Sequence, residues 1–282
     1  MSGKRWVWLS QHLLPKNLLS AVVYRATRSR RPWLARPLTR WFARAYRVDL
    51  AEAAIGDLDS FGTFNEFFTR ALKSGARPIA SGAGVVVSPA DGVLTEHGAI
   101  AGDRLFQAKG LSYSLGELLG ETGPAVAALE GGSYFTIYLA PHNYHRVHAP
   151  LAARLTRTRY LPGRRFSVSR ATAAAIPRLF CRNERVVCWF ETERGPMAVV
   201  LVGALNVSSI STVTRGEIAS GGPQNWPESP PRAVAQGSEI GRFNMGSTVV
   251  VLLGGPAFRF APATGDGASV RMGQALGAFG PR

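Results

Sequence analysis

The sequence has little cysteine, few acidic residues and no long hydrophobic run. Its two cysteines, Cys181 and Cys188, cannot form a disulfide framework and lack zinc or redox spacing, so we interpret both as buried small hydrophobes. No apolar run reaches the ~18 residues that a membrane-spanning helix needs. Polar residues such as Gln11 and Lys16 interrupt the N-terminus where a signal peptide would carry its apolar core. We therefore expect an intracellular protein that does not cross a bilayer.

The overall composition is that of a globular protein. The chain has 282 residues, of which 46% are hydrophobic and 18% are charged, so it can form one large or two small domains. This composition excludes a chain that is disordered throughout. Lysine and arginine number 33 against 18 acidic residues, for a formal charge of +15. We expect an anionic partner for a chain so basic.

Most of the excess charge lies in residues 1–50. This stretch contains eleven lysines and arginines, one acidic residue and four of the six tryptophans. Apolar residues recur there at helical spacing, at Leu34, Leu38, Trp41, Phe42 and Ala45. Arginines follow another face of the same predicted helix, at Arg36, Arg40, Arg44 and Arg47.

An apolar face with tryptophan beside a cationic face is typical of a helix that lies in a membrane interface and is attracted by anionic lipids. We predict membrane-binding residues at Trp33, Arg36, Arg40, Trp41 and Arg44. Two alternatives stay open from the local sequence. The arginines could form a solvated face on a helix packed against the protein's own core, or a nucleic-acid-binding surface. Tryptophan favours the membrane, because the indole ring prefers the level of the lipid headgroups.

The remainder of the chain predicts an α+β fold with a β-rich, mainly antiparallel core. Thr63 and Glu66 have the spacing of a capping box and predict a helix over residues 60–73. Short β-branched and aromatic runs then predict strands at 85–87, 134–139, 185–190, 197–202, 207–213 and 248–253. Glycine and proline within 216–237 predict a long surface loop, of the kind that often forms a lid. We expect little structure in the tail after residue 254.

Three polar clusters interrupt apolar surroundings, around Asp91, around His145 and His148, and at Ser247. Each alone has an ordinary structural interpretation, since an aspartate before glycine commonly orders a turn. With His142, the histidines could suggest a metal site, but no further acidic or cysteine ligand is adjacent. Together, the clusters supply the acid, imidazole and hydroxyl of a nucleophilic triad.

The surroundings of Ser247 do not indicate an ordinary hydrolase. The sequence lacks the Gly-x-Ser-x-Gly elbow of that class. Ser247 instead follows Gly246 at the edge of a predicted strand. Glycine leaves its peptide carbonyl unshielded. This arrangement suits attack by the hydroxyl on its own preceding peptide bond.

At these residues the sequence resembles the phosphatidylserine decarboxylase family, of the membrane-associated bacterial kind. The resemblance rests on ordered blocks at 64–70, 88–92, 107–110, 113–115, 144–148, 180–185, 202–204, 241–243 and 246–248. Two departures are mild, namely Ala71 where the family tends to have Glu and Met245 where Leu is usual.

The resemblance implies a pyruvoyl enzyme made by self-cleavage between Gly246 and Ser247, with chains 1–246 and 247–282 as products. It implies that Ser247 attacks the Gly246 carbonyl, that His148 is the base and that Asp91 orients His148. Ser247 would become the pyruvoyl group, which forms a Schiff base with phosphatidylserine and yields phosphatidylethanolamine and CO₂. His145 would position the substrate carboxylate or protonate the carbanion. No metal and no pyridoxal phosphate are expected.

The resemblance and the charge pattern together predict the partners. We expect residues 1–50 to dock on an anionic phospholipid membrane and residues 51–282 to form the catalytic domain. The protein would be peripheral on the cytoplasmic face of the cell membrane, a homodimer of the cleaved heterodimers, without a nucleic-acid partner. Three alternatives remain: a serine hydrolase with the same triad, a pyruvoyl decarboxylase of another headgroup, and a non-catalytic membrane- or nucleic-acid-binding module.

Overall fold

The computed structural model describes residues 16–108, 111–204, 209–218, 221–245, 247–255, 258–262 and 264–280. Its helices are α1 (Lys16–Thr27), α2 (Pro32–Ala45), α3 (Phe64–Phe68), α4 (Leu115–Leu119), α5 (Pro124–Ala127), α6 (Arg170–Ala173) and α7 (Leu179–Arg182), with a 3₁₀ turn at Leu58–Ser60. Its first strands are β1 (Val85–Val87), β2 (Gly92–Ala99), β3 (Arg104–Ala108), β4 (Leu111–Ser114), β5 (Ser133–Leu139), β6 (Arg146–His148), β7 (Ala153–Leu161), β8 (Arg185–Thr192) and β9 (Gly195–Gly203). The later strands are β10 (Ile210–Thr212), β11 (Gly216–Ile218), β12 (Gln224–Val234), β13 (Glu239–Phe243), β14 (Ser247–Leu253), β15 (Phe258–Phe260), β16 (Ser269–Val270) and β17 (Ala275–Phe279).

An eight-stranded antiparallel sheet forms the centre of the molecule, in the order β12-β7-β8-β9-β14-β5-β2-β16. Strand β14 reads Ser-Thr-Val-Val-Val-Leu-Leu, and all seven of its residues are buried. A strand paired on both sides and covered on both faces reads as a continuous apolar run rather than an alternating one. Ser247 is therefore the first residue of the most enclosed part of the sheet. The mainly antiparallel, β-rich architecture confirms the predicted α+β class.

Smaller sheets complete the β-rich region. Strands β11, β10, β13 and β6 form one of them, and β1, β17 and β15 form another. The four-stranded sheet carries His148 on β6, directly opposite Glu239 on β13. Because β13 ends at Phe243, four residues before Ser247, this sheet connects the histidine segment to the start of β14.

Helix α2 packs on a cluster of aromatic side chains, which we call the phenylalanine cluster: Phe42, Phe61, Phe64, Phe67 and Phe68. Phe42 contributes from α2, with its ring 5.0 Å from that of Phe64. Proline at the first turn suits the start of α2. Burying large aromatic rings supplies most of the energy that holds such a helix in place.

Two sequence predictions about local structure are wrong. The helix predicted over 60–73 is only α3, since Leu72 already pairs with Ala53. The Thr63 side chain does cap α3 by accepting from the Glu66 amide. The stretch 216–237 contains β11 and the edge strand β12, which pairs with β7. Proline is compatible with an edge strand, because the missing N–H would face solvent.

The tail and the cysteines can also be compared with expectation. The tail after residue 254 contributes β15, β16 and β17, so the expectation of little structure there is wrong. Cys188 is buried, Cys181 is half-buried, and both are free thiols. Among the helices in the described ranges, none has the length and apolar character needed to span a membrane.

Candidate active site

Ser247 begins β14 between two neighbouring strands. It lies opposite Leu139 of β5 and Gly203 of β9, and none of its surface is exposed. Within the described part of the chain, its hydroxyl finds no hydrogen-bond partner. A buried hydroxyl without a partner costs free energy, about 1–3 kcal/mol. A catalytic role is one explanation for such a group, and the buried hydroxyls of Thr136, Thr158 and Thr248 share the feature. Gly246, the other residue of the expected cleavage site, lies outside the described residues.

His148 ends β6, and both nitrogens of its ring are hydrogen-bonded. Nδ1 lies 2.7 Å from the carbonyl oxygen of Gly237, and Nε2 lies 2.9 Å from the hydroxyl of Tyr144. A carbonyl can only accept, so Nδ1 carries the proton and Nε2 accepts from Tyr144. Burial lowers the pKa of His148, which keeps the ring neutral. A neutral imidazole with a lone pair on Nε2 is the form a general base requires.

Asp91 sits beside His148 in the fold but bonds elsewhere. Its carboxylate accepts two hydrogen bonds from Arg77, at 3.0 and 2.6 Å, and one from the amide of Met272 at 2.8 Å. The turn that carries Asp91 is close to β6, because the His148 amide donates to the Pro89 carbonyl at 2.8 Å. The charge of Asp91 therefore reaches His148 and raises its pKa slightly against the larger effect of burial. No hydrogen bond joins the two side chains among the described residues.

Arg77 is held by two acids. Besides Asp91, its guanidinium binds Glu52 at 2.7 Å, and only 7% of the Arg77 side chain is exposed. Hydrogen bonding to Asp91 raises the pKa of Arg77. A buried charge pair of this kind is costly to break, since removal of one partner leaves the other uncompensated.

Replacing Arg77 by methionine is expected to lower the free energy of unfolding by about 3 kcal/mol, because the buried Asp91 would lose its cationic partner. Urea unfolding of the purified variant measures this change. Arg178→Met is the matched control, since Arg178 forms an exposed pair with Glu117 that contributes little to stability. Equal effects of the two substitutions would show that Asp91 does not depend on Arg77.

His145 lies in an apolar setting at the inner edge of the phenylalanine cluster. Its ring is fully buried and stacks on Phe68 with centroids 4.0 Å apart. Among described residues, no contact of either ring nitrogen meets the geometry of a hydrogen bond, although the backbone of Pro141 and Ala140 approaches the ring and acts to raise its pKa. Burial, and then the charge of Arg70, outweigh this effect and lower the pKa of His145 to about 3. His145 is therefore neutral over the whole physiological range.

The start of β14 lies beside the end of β5, and this brings Ser247 into the same region as the histidines that follow β5. The Phe243 amide donates to the His145 carbonyl at 3.0 Å. Asn244 follows, and its side-chain amide donates to Ser209 and Ser211 at 2.6 and 3.1 Å. The first bond joins the segment that enters Ser247 to the histidine segment, and the other two join it to residues 209–211. Exposed His142 takes no part, and among described residues no three metal-ligating side chains gather into a site.

A cavity of about 250 Å³ lies beside the start of β14. It is lined by Thr248, the residue after Ser247, and by Tyr138, which pairs with Thr248. Arg170 contributes a positive charge to the lining, and Glu96 and Asp266 contribute negative charges. A lining with both charge signs suits a small zwitterionic group.

The outer face of α2 combines tryptophan with arginine. Trp33 and Trp41 are 69% and 60% exposed, and Arg36, Arg40 and Arg44 are exposed beside them. Of these arginines, Arg40 forms an ion pair with Asp59. The inner face contains Phe42 and packs on the protein core. The helix thus divides the apolar residues of the sequence pattern between an inner face and an exposed one.

A comparison with protein-family models identifies the class. A model described as phosphatidylserine decarboxylase matches residues 64–278, which include every candidate catalytic residue. The chain belongs to the phosphatidylserine decarboxylase family. A second model, described as PSD, matches residues 7–47, the basic N-terminal segment. The resemblance inferred from the ordered sequence blocks is therefore confirmed.

Curated members of the phosphatidylserine decarboxylase family are similar to almost the whole chain. The phosphatidylserine decarboxylase proenzyme of Ectopseudomonas mendocina is 49% identical over 95% of this chain and 96% of its own length. The proenzyme of Pseudomonas aeruginosa is 50% identical over 95% and 94%. The proenzyme of Methylococcus capsulatus is 49% identical over 95% and 94%.

Three residues at the site were not assigned a role from the sequence. Tyr144 lies inside one of the blocks that carried the resemblance, so a signal for it existed. Gly237 was only one glycine of a predicted loop. Arg77 is 14 residues from Asp91, and no pattern connects the two. Only the folded structure shows which groups form hydrogen bonds with His148 and Asp91.

Proposed function

We propose that this protein converts phosphatidylserine to phosphatidylethanolamine and CO₂, using a pyruvoyl group that the chain generates from Ser247. The observation that carries the proposal is the fully buried Ser247 hydroxyl without a hydrogen-bond partner at the start of the central strand. The relatives of this protein are named proenzymes, which agrees with a chain that cleaves itself. Burial of Ser247 disfavours the alternative of a serine hydrolase, whose nucleophile must be open to an external ester.

In the proposed processing step, His148 takes the proton of the Ser247 hydroxyl through Nε2, and the oxygen attacks the Gly246 carbonyl carbon. The C–N bond breaks as the amine of residue 247 takes a proton, which leaves an ester. Elimination from that ester releases chain 1–246 with a free carboxyl end and leaves dehydroalanine at 247. Addition of water then releases ammonia and leaves a ketone. Asp91 supports the positive charge that develops on His148.

A pyruvoyl group fits position 247 of this chain. Residue 247 lies in a space already shaped for a serine side chain, and the group is no larger. When formed, it supplies a ketone that reacts with a primary amine and accepts the electrons left by CO₂. Residues of the chain must exclude water, place the carboxylate and deliver a proton. We assign the last two tasks to His145, because its ring is neutral and its backbone is hydrogen-bonded to the segment that enters Ser247.

The cavity next to Thr248 is the proposed site of the lipid headgroup. Phosphoserine carries a phosphate, a carboxylate and an amine, and the lining offers Arg170 to the anions and Glu96 to the amine. Its volume of about 250 Å³ accommodates a headgroup but not the acyl chains. The chains would therefore stay in the membrane while the headgroup enters.

We propose the domain organisation that the sequence indicates, in which residues 1–50 dock on the membrane and residues 51–282 form the catalytic domain. The protein would be peripheral on the cytoplasmic face of the cell membrane. The exposed tryptophans of α2 would lie at the headgroup level, with Arg36, Arg40 and Arg44 facing anionic lipids. Arg40 contributes less than the others, because Asp59 already holds it. We further propose a homodimer of cleaved heterodimers.

The double variant Arg36→Gln/Arg44→Gln is expected to bind vesicles with 30% phosphatidylserine about 30-fold more weakly than the unaltered protein, since each arginine contributes separately near an anionic surface. Vesicle co-sedimentation measures the binding. Arg232→Gln/Arg259→Gln removes two exposed arginines from strands and serves as the charge-matched control. If the control loses as much binding, the attraction comes from total charge and not from α2.

Intact mass spectrometry of the purified protein tests the proposed function. We expect two chains, 1–246 and 247–282, with a blocked N-terminus on the smaller one, and CO₂ release from phosphatidylserine vesicles. Treatment with hydroxylamine, which reacts with ketones, should abolish the CO₂ release. An uncut chain that is labelled by a fluorophosphonate would support the serine hydrolase instead. Cleaved protein that ignores phosphatidylserine would indicate a decarboxylase of another headgroup.

A further inference from the structure

The turn around Gly237 is attached to His148 and its neighbour by three hydrogen bonds. The Gly237 carbonyl accepts from His148 Nδ1 at 2.7 Å. The Gly237 amide donates to the Ala149 carbonyl at 2.9 Å, and the Ala149 amide donates to the Ser238 carbonyl at 2.8 Å. The backbone bonds fix the position of the turn relative to β6. The carbonyl that meets the imidazole is therefore held in place independently of the imidazole itself.

We infer that the Gly237 carbonyl is the group that sets the tautomer of His148 for self-cleavage, the task that a carboxylate performs in hydrolase triads. This inference rests on the proposed function. The Asp91 carboxylate is occupied by Arg77 and the Met272 amide. Asp91 acts on His148 through its charge, and Gly237 acts through direct contact. Gly237 is thus a positioning residue.

The hydrogen-bond partner on the other side of the ring agrees with this assignment. The Tyr144 hydroxyl lies 2.9 Å from His148 Nε2. Burial raises the pKa of Tyr144 to about 12, so the hydroxyl keeps its proton and can donate. A donor at Nε2 and an acceptor at Nδ1 specify one tautomer. For the base to take the Ser247 proton, the Tyr144 hydroxyl must leave Nε2 or pass its own proton there as it receives that of Ser247.

The local backbone requires glycine at this position. Gly237 has a φ of +78°, in the left-handed region that side chains disfavour. A Cβ there would lie 2.7 Å from Cδ1 and 2.8 Å from Cγ1 of Ile79. Alanine would therefore shift the turn, and the carbonyl would move away from Nδ1.

The tautomer can be measured directly in an uncleaved protein. In Ser247→Ala protein labelled with ¹⁵N-histidine, we expect the His148 signals of an Nδ1–H tautomer, assigned by their loss in Ser247→Ala/His148→Gln. Adding Gly237→Ala should convert them to a mixture of both tautomers. Gly120→Ala is the matched control, since Gly120 has a φ of +68° and its Cβ would meet Leu161 at 2.6 Å, far along the chain from His148. This readout does not depend on any decarboxylase activity.

Self-cleavage kinetics give a second readout. In Gly237→Ala we expect cleavage about 100-fold slower at its plateau, with the acid limb of the pH profile shifted to lower pH. The limb shifts because the His148 imidazolium loses the Gly237 carbonyl as a hydrogen-bond acceptor, which lowers the His148 pKa. The charged groups around the ring, Glu239, Arg146 and Asp91, remain in place. General misfolding would lower the plateau without moving the limb.

Two outcomes would overturn the inference. One is an unchanged His148 tautomer in the Gly237→Ala protein. The other is a tautomer that changes in Asp91→Asn and not in Gly237→Ala, which would assign the task to the carboxylate. If the unaltered protein never cleaves while the tautomer behaves as expected, the proposed function fails and the inference about the ring stands.

Discussion

Replacing Ser247 by alanine is expected to leave one uncut chain of 30.3 kDa that releases no CO₂ from phosphatidylserine. The reason is chemical, since no other atom at residue 247 could attack the preceding carbonyl. The variant should fold, because the hydroxyl makes no hydrogen bond among the described residues and alanine removes only an unsatisfied group. Denaturing gels and intact mass measure cleavage, and urea unfolding should show a stability within about 1 kcal/mol of an uncut reference.

Ser133→Ala is the matched control for this experiment. Ser133 is a buried serine at the opposite end of the same strand pair, facing Leu253. We expect this variant to cleave at the normal rate. Two fragments from Ser247→Ala, or an uncut chain from Ser133→Ala, would contradict the assignment of Ser247 as the nucleophile.

Replacing His145 by glutamine is expected to separate processing from decarboxylation. Cleavage should proceed, because the base for that step is His148, while kcat for phosphatidylserine should fall by about 100-fold or more. The KM should change less, since the lipid is held mainly by the cavity and the membrane. Because the His145 pKa is about 3, the loss should be the same from pH 6 to pH 8.

The control for His145 lies three residues earlier in the same segment. His142→Gln changes an exposed histidine and should leave both cleavage and kcat unaltered. An uncut chain from His145→Gln would instead place His145 in the processing step. A normal kcat in His145→Gln would mean that the His145 ring nitrogens do not act on the substrate.

The position of His145 also connects α2, the proposed membrane-docking helix, with the candidate active site. Phe42 of α2 contacts Phe68 with ring centroids 5.9 Å apart, and Phe68 stacks on His145. Met245 packs on the same phenylalanine cluster, two residues before Ser247. If α2 docks on lipid, these contacts would place the candidate active site next to the membrane surface. A substrate whose headgroup stays anchored in the bilayer needs the site to be that close.

The strands of the central sheet were largely predictable. Strands β5, β8, β9 and β14 were expected within one to two residues at either end, because they are buried on both faces and read as continuous apolar runs. Strand β7 was not predicted, because its arginines interrupt the run of apolar residues that indicates a buried strand. Arg157 and Arg159 are accommodated in this strand because they pair with Glu121, at 2.5 and 2.7 Å, and no local rule shows this.

The sequence singled out the candidate site residues, and it did not show their hydrogen bonds. Asp91, His148 and Ser247 stood out as polar residues in apolar surroundings, and the ordered blocks joined them into one family. Two of the hydrogen bonds that orient them could not be read from the chain, because the partners are far away in sequence. Gly237 is 89 residues from His148, and Met272 is 181 residues from Asp91.

The sequence alone determined the family, the candidates for the reacting groups and the existence of a basic, tryptophan-rich segment, because these depend on residue type and order. Only the tertiary structure decided that a carbonyl rather than a carboxylate meets His148, that Asp91 belongs to Arg77, and that α2 buries one face and exposes the other. The physical reason is that residue type determines which bonds a side chain can form. Which bond it does form depends on the groups that folding brings within about 3 Å of it.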